Sequence, residues 1–253
     1  MRIAVLMKEV PDLIEELELT PEGRLETDVL SYIPSEWDEQ ALEEALILKE
    51  ESGAAVTVVA VDSGQVDDML YTALAKGADR AVKLAAESEV LTNRARAALM
   101  AAYLQQDPYD LVLTGVQAVD DLDGQVAGLL GGQLGWPHAS VVREVKAQGE
   151  QVQCVQEYAG GWMATLELAL PAVLGIQAAR RPPRYVSVAK VRQLQKTASL
   201  ETVEVTPLPA VELPVRRLYR PAAAGHATMW SEDAAEAAAQ LVELLQSRKL
   251  IRS

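Results

Sequence analysis

The sequence predicts an α/β fold: a doubly wound, mainly parallel sheet with an antiparallel extension and a C-terminal helical arm. Three observations predict it. The runs "RIAVLM" (2–7), "AVTVVAV" (55–61) and "DLVLTG" (110–115) are apolar almost throughout, as strands are when helices cover both faces of a sheet. Between them lie stretches of helical periodicity, 11 to 19 residues long, whose right-handed crossovers wind the strands parallel. Beyond residue 137 the pattern changes to period-two alternation broken by glycine turns, which reads as antiparallel strands.

The elements follow in order. Residues 2–7 form a buried strand, and the acidic stretch 13–30 carries Pro21-Glu22-Gly23, a hairpin signal. A helix runs from Glu36 to Ser52, with Trp37, Ala41, Ala45 and Leu48 on one face and Gly53 closing it. Strand 55–61, a short helix 66–76, strand 78–84, helix 88–106, strand 110–115 and a helix from Gly124 to Leu134 come next. Strands 139–146, 151–158 and 162–169 turn at Gly149 and Gly160-Gly161, before a buried strand 172–176. Residues 181–215 are rich in Pro, Arg and Gln with little apolar periodicity, so they are expected to form an exposed connector. In the arm, 216–253, Ser231 is the expected N-cap, with Glu232 and Asp233 in the first turn and an apolar stripe of Leu241, Leu244 and Leu245. The expected division is therefore 1–180, 181–215 and 216–253.

Composition narrows the function. A formal charge of −14 argues against binding a nucleic-acid backbone, which needs a basic face. The single cysteine, Cys154, allows no internal disulfide and suits a reducing compartment. The chain enters a strand at once and has no run of 18 apolar residues, so a soluble, cytoplasmic protein is expected. The only histidines, His138 and His226, lack metal-ligand spacing, and no metal site is expected.

Ligands of doubly wound sheets sit beyond the carboxyl ends of the strands, near the point where strand order reverses. The loops after Met7, Val61 and Gly115 reach that place.

Six segments, in order, resemble the β subunit of electron-transfer flavoproteins. They are "RIAVLMKEVPD", "DEQALEEALILKE", "TALAKGADRAVKL", "DLVLTGVQAVDDLDGQVAGLLGGQLGWP", "LALPAVLGI" and "PPRYVSV". The resemblance implies the adenine-nucleotide-hydrolase-like version of the sheet. It also implies a heterodimer with an α subunit that carries most of the FAD contacts, while the β subunit holds AMP, or a second FAD in electron-bifurcating members. Electrons would pass from flavoprotein dehydrogenases to a quinone-linked or other acceptor, and this chain would be a carrier subunit, not a complete enzyme.

The resemblance places the nucleotide against Gly115, Gln117, Val119, Asp120, Asp121, Asp123, Gly124, Gln125 and Val126, with Leu6, Ser35, Trp37, Asp38 and Ser63 from the other loops. Backbone N–H groups of Gly124, Gln125 and Val126 would face a phosphate at the helix start. A carboxylate about 4 Å from a phosphate costs roughly 4 kcal/mol at an effective dielectric near 20. The helix dipole offsets only about 0.3–1 kcal/mol of this, so Asp123 must turn elsewhere. Asp120 or Asp121 suits ribose hydroxyls instead. A plainer alternative is an acidic loop that only caps the helix.

The chain departs from the family pattern in places. Gly124-Gln125-Val126 stands where AMP-holding members usually have Asn-Gln-Thr, which removes a hydroxyl donor of about 1 kcal/mol. Valine there resembles bifurcating members, whose preceding Asp-Gly-Asp-Thr-Ala this chain lacks. The residues leave AMP, a second FAD and no occupant all open. Leu13 replaces a frequent aromatic residue, and Trp37 takes the place of a phenylalanine.

The resemblance puts partner recognition at Arg184, Tyr185, Val188 and Lys190, with Val188 at a leucine anchor and a shortened basic run after it. The C-terminal stretch resembles the arm that embraces the α subunit. Two rivals from other classes are a nucleotide-hydrolysing enzyme, for which no Gly-x-x-x-x-Gly-Lys loop is present, and a stand-alone adenine-nucleotide-binding homodimer.

Overall fold

In a computed structural model of the chain, the structure describes every residue except 63, 86–91, 122–123, 210–214, 223–224, 226, 228 and 252–253. The elements run β1 (Arg2–Met7), β2 (Glu9–Pro11), β3 (Tyr32–Pro34), α1 (Glu36–Ser52), β4 (Ala55–Val61), α2 (Asp67–Lys76), β5 (Arg80–Leu84), α3 (Asn93–Gln106) and β6 (Leu111–Gly115). Then follow α4 (Val126–Leu134), β7 (His138–Gln148), β8 (Gln151–Glu157), β9 (Met163–Ala169), β10 (Ala172–Ile176), α5 (Val188–Thr197), β11 (Glu201–Val203) and α6 (Ala234–Ser247).

Nine strands form one sheet in the order β11-β5-β4-β1-β6-β10-β7-β8-β9. All neighbours are parallel up to β7, and β8 and β9 extend the sheet as antiparallel strands. This is the doubly wound α/β fold with its antiparallel extension. The chain steps outward from β1 to β4 to β5, then returns across the sheet to β6 on the other side of β1. Strand order therefore reverses between β1 and β6.

Alternation along β1 distributes the core. Ile3, Val5 and Met7 face the layer that includes Ala41, Leu42 and Leu70 of α1 and α2, whereas Ala4 and Leu6 face Met100, Leu104 and Leu130 of α3 and α4. Both layers are apolar, which explains why the parallel strands read as unbroken hydrophobic runs.

α1 is buried on more of its surface than its periodicity suggests, and ion pairing is the reason. Glu44, fully buried, accepts from the backbone N–H of Val145 (3.2 Å) and of Arg180 (3.0 Å), and from Arg180 Nε (2.8 Å). Glu43 accepts from the N–H, Nε and Nη2 of Arg184 at 3.0, 2.9 and 2.8 Å. The paired acids clamp the chain that leaves β10 onto the helix, and their buried charge is tolerated because each is matched and hydrogen-bonded.

The hairpin expected around Pro21 forms: Leu19 bridges Leu25 and Gly23 N–H donates to Thr20 O at 2.9 Å, with Gly23 at φ +75°. Other details differ from expectation. α4 begins at Val126, two residues after Gly124. The cap of α6 is Asp233, whose carboxylate accepts from the N–H groups of Ala235 and Glu236, while Ser231 lies one turn upstream and accepts from Asp233 N–H at 3.2 Å. Within 181–215 the chain forms a helix and a strand. α5, capped by Ser187 and exposed along its length, packs on α2, and β11 joins the sheet edge beside β5. Its ten residues carry too few apolar positions to announce a helix; tethers such as Lys190 Nζ to Ala75 O (2.6 Å) hold it in place.

The chain divides into two compact units, Met1–Arg217 and Leu218–Ser253. In the second, Leu241, Val242 and Leu244 of α6 are exposed. No described helix is long and apolar enough to cross a membrane.

Candidate functional site

The reversal point is built around one carboxylate. Asp38, in the first turn of α1, accepts from Lys8 N–H through Oδ2 and from Gly115 N–H through Oδ1, each at 2.9 Å. Those amides stand where β1 and β6 end, so Asp38 joins the two strands just as their ladder stops. Burial pushes its carboxyl up to about 7, against the pull of the two amides and of the Lys8 and Arg96 cations. Gly115 is required by this contact, because a Cβ there would lie 2.5 Å from Asp38 Oδ1 and 2.8 Å from Trp37 Cβ.

The loop after β6 braces itself. Asp121 accepts from Ala118 N–H (3.0 Å) and Gly124 N–H (2.9 Å), and Val116 N–H donates to Ile176 O at 2.9 Å. Asp120 pairs with Lys8 Nζ. Gly124 adopts φ +62°, and a Cβ on it would collide with Val116 O. The Gly124 amide, expected to face a phosphate, is thus satisfied inside the loop, because the preceding aspartate folds back as a side-chain cap. Asp123 and Ser63 lie outside the described residues.

Between these walls is a small open recess. Of the residues proposed from sequence, Leu6, Asp38, Gly115, Gln117, Asp121 and Val126 line it. Asp120 and Gly124 are joined to the lining residues Lys8 and Asp121 by the bonds above. Trp37 is half-buried against Gly115, and Ser35 is buried before α1 with its hydroxyl lacking a partner. Val119 and Gln125 are exposed. Lys8 and Arg96 also line the recess, and sequence reasoning passed over both. Arg96 had one signal: a cation in the first turns of α3, where the helix dipole disfavours it. Its Nε is buried without a hydrogen-bond partner, and burial lowers its pKa against the more distant charges of Asp120 and Asp38.

The recess lies at the carboxyl ends of β1 and β6, where strand order reverses. Two polar atoms there lack partners, Ser35 Oγ and Arg96 Nε. No described group of three His, Cys, Asp or Glu could hold a metal ion.

The four residues expected to meet a partner lie together on the segment after β10. Tyr185 is 86% and Val188 59% exposed. Arg184 is held by Glu43 and Glu50, and Lys190 by Ala75 O.

Comparison with known proteins bears on this arrangement. Residues 25–208 match the family described as "Electron transfer flavoprotein domain". The chain is 32% identical to "Electron transfer flavoprotein subunit beta" of Methylophilus methylotrophus over 271 aligned residues, covering 98% of this chain and 99% of the relative. It is 33% identical to the protein of the same name from Syntrophomonas wolfei, covering 78% of this chain and 77% of the relative. With the human protein of that name it shares 32% identity, over 78% of each. With that family match and relatives of one kind, one of them aligned over nearly its full length, the chain belongs to the electron-transfer flavoprotein β-subunit family.

Proposed function

We propose that this chain is the β subunit of a cytoplasmic heterodimer, holding AMP in the recess between β1 and β6 and helping to position the FAD of an α subunit. That FAD would shuttle electrons from flavoprotein dehydrogenases to a quinone reductase or another acceptor. The observation that carries the reading is the recess itself, at the strand-order reversal and lined by six of the residues the family resemblance nominates.

In this reading the chain contributes binding and orientation, while the flavin supplies the redox chemistry when bound. Asp38 holds the strand ends at a fixed separation, Asp120 is paired with Lys8, and Asp121 is bonded to the Ala118 and Gly124 amides, which offsets part of their repulsion for a phosphate. The hydroxyl of Ser35 and the Arg96 guanidinium are side-chain donors that could serve a ligand. Tyr185 and Val188 offer an exposed surface for an electron-transfer partner, and the apolar stripe of α6 suits an α subunit.

A second reading places a second FAD in the recess. It is favoured by Val126, an apolar lining residue at the start of α4 where AMP-holding relatives would offer a hydroxyl. Co-purifying the chain with its α subunit, denaturing the complex and separating the released nucleotides distinguishes the readings. One AMP with one FAD supports the first, two FAD the second, and no adenine compound refutes both.

A further inference from the structure

Arg96 sits in the recess without an assigned task. It follows the α3 cap, Thr92, by one turn, facing the positive end of the helix dipole, so helix stability does not account for it. Its Nε is buried without a partner, and no ion pair holds the guanidinium among the described residues. Burying part of a cation that forms no ion pair is unfavourable, so packing does not account for it either. The nearest acids are already committed: Asp120 to Lys8 Nζ, and Asp38 to two backbone amides.

On the opposite wall two donors expected from the family pattern are missing. Asp121 takes the Gly124 amide, and Val126 has no hydroxyl. We infer that Arg96 is the anion-recognising residue of the recess, its guanidinium receiving the phosphate of the bound nucleotide so that the site selects a phosphorylated ligand over the nucleoside. This assignment rests on the reading that the recess holds an adenine nucleotide. A guanidinium fits the task better than an ammonium, because its planar fork bonds two phosphate oxygens at once. The phosphate in turn supplies the counter-charge that the fold withholds.

The test is calorimetric titration of the nucleotide-free, full-length chain with AMP and with adenosine, for the wild type, Arg96→Met and Arg96→Lys. The wild type is expected to bind AMP at least tenfold more tightly than adenosine. Arg96→Met should weaken AMP binding about ten- to hundredfold and leave adenosine unchanged, with Arg96→Lys in between. Added salt should weaken AMP binding to the wild type and hardly affect the Met variant. Since the unliganded guanidinium is unpaired, Arg96→Met should melt no lower than the wild type.

Undiminished AMP binding in Arg96→Met overturns the assignment alone, as does an equal loss for AMP and adenosine, which marks a structural role. If the Met variant fails to fold, the wild type and Arg96→Lys decide: equal wild-type affinities for AMP and adenosine overturn the assignment. A wild type that binds neither compound overturns the nucleotide reading as well.

Discussion

Replacing Asp38 by asparagine isolates a conflict between burial and hydrogen bonding. Both carboxylate oxygens accept backbone N–H groups at 2.9 Å, which favours the ionised form, yet burial is the larger influence and raises the carboxyl from 3.8 to about 7. A folded-state pKa above the unfolded one means that the native protein holds a proton the unfolded chain has released. The stability contributed by that proton is complete below pH 4 and is lost as pH rises through about 7. Each pH unit well inside this window is worth about 1.4 kcal/mol and the slope halves at the folded pKa, so roughly 2 kcal/mol disappears between pH 5 and 7. Asparagine does not titrate, and the other carboxyl groups cancel in the comparison. Urea denaturation of both proteins at pH 5, 6, 7 and 8 gives their stability difference. The wild type should lose about 2 kcal/mol relative to Asp38→Asn between pH 5 and 7, then level off. A difference that stays constant, or that grows in favour of the wild type, would show that the two amides outweigh burial and that Asp38 is an ordinary carboxylate.

Three further outcomes follow from the structure. Glu9 is pushed up to about 7, by burial first and then by Asp68 and Asp67, and it also binds an extra proton when folded; its share of stability is lost as pH rises through 7. Glu9→Gln should therefore stabilise the protein at pH 8 by roughly 1 kcal/mol, discounted for solvent screening, and have little effect at pH 5, as thermal melts at both values would show. Glu44→Ala leaves the Val145 and Arg180 amides and Arg180 Nε without their acceptor, while Glu51 still pairs with the guanidinium, and should cost about 1–3 kcal/mol in denaturant titrations. Gly115→Ala forces a methyl group against Asp38 and Trp37 and should cost about 1–3 kcal/mol, read from the same titrations; an unchanged midpoint would mean that the strand ends are not held together as described.

The parallel strands were legible in the chain because burial on both faces leaves runs such as "AVTVVAV" with almost no polar residue. The antiparallel extension was legible because β9 alternates, with Ala164, Leu166 and Leu168 less exposed than their neighbours. α5 was hidden, since its apolar stripe is only Val188, Val191 and Leu194 within a run of Lys, Arg and Gln, and β11 is only three residues long. In the recess, the glycines and aspartates of the β6–α4 loop stood out by composition, whereas Lys8 and Arg96 did not. A lysine after a strand and an arginine in a helix look like solvated surface until neighbours bury them.

Local propensity and hydrophobic period thus determined the elements, their order and the strand ends that a ligand can reach, since these depend on residues close along the chain. Only the tertiary structure decided which way each charge turns. Asp121 bonds inward to its own loop, Asp120 meets a lysine 112 positions away, and Arg96 is left without a partner. Such choices depend on desolvation and on distances between remote segments, and neither is encoded in the spacing of residues along the chain.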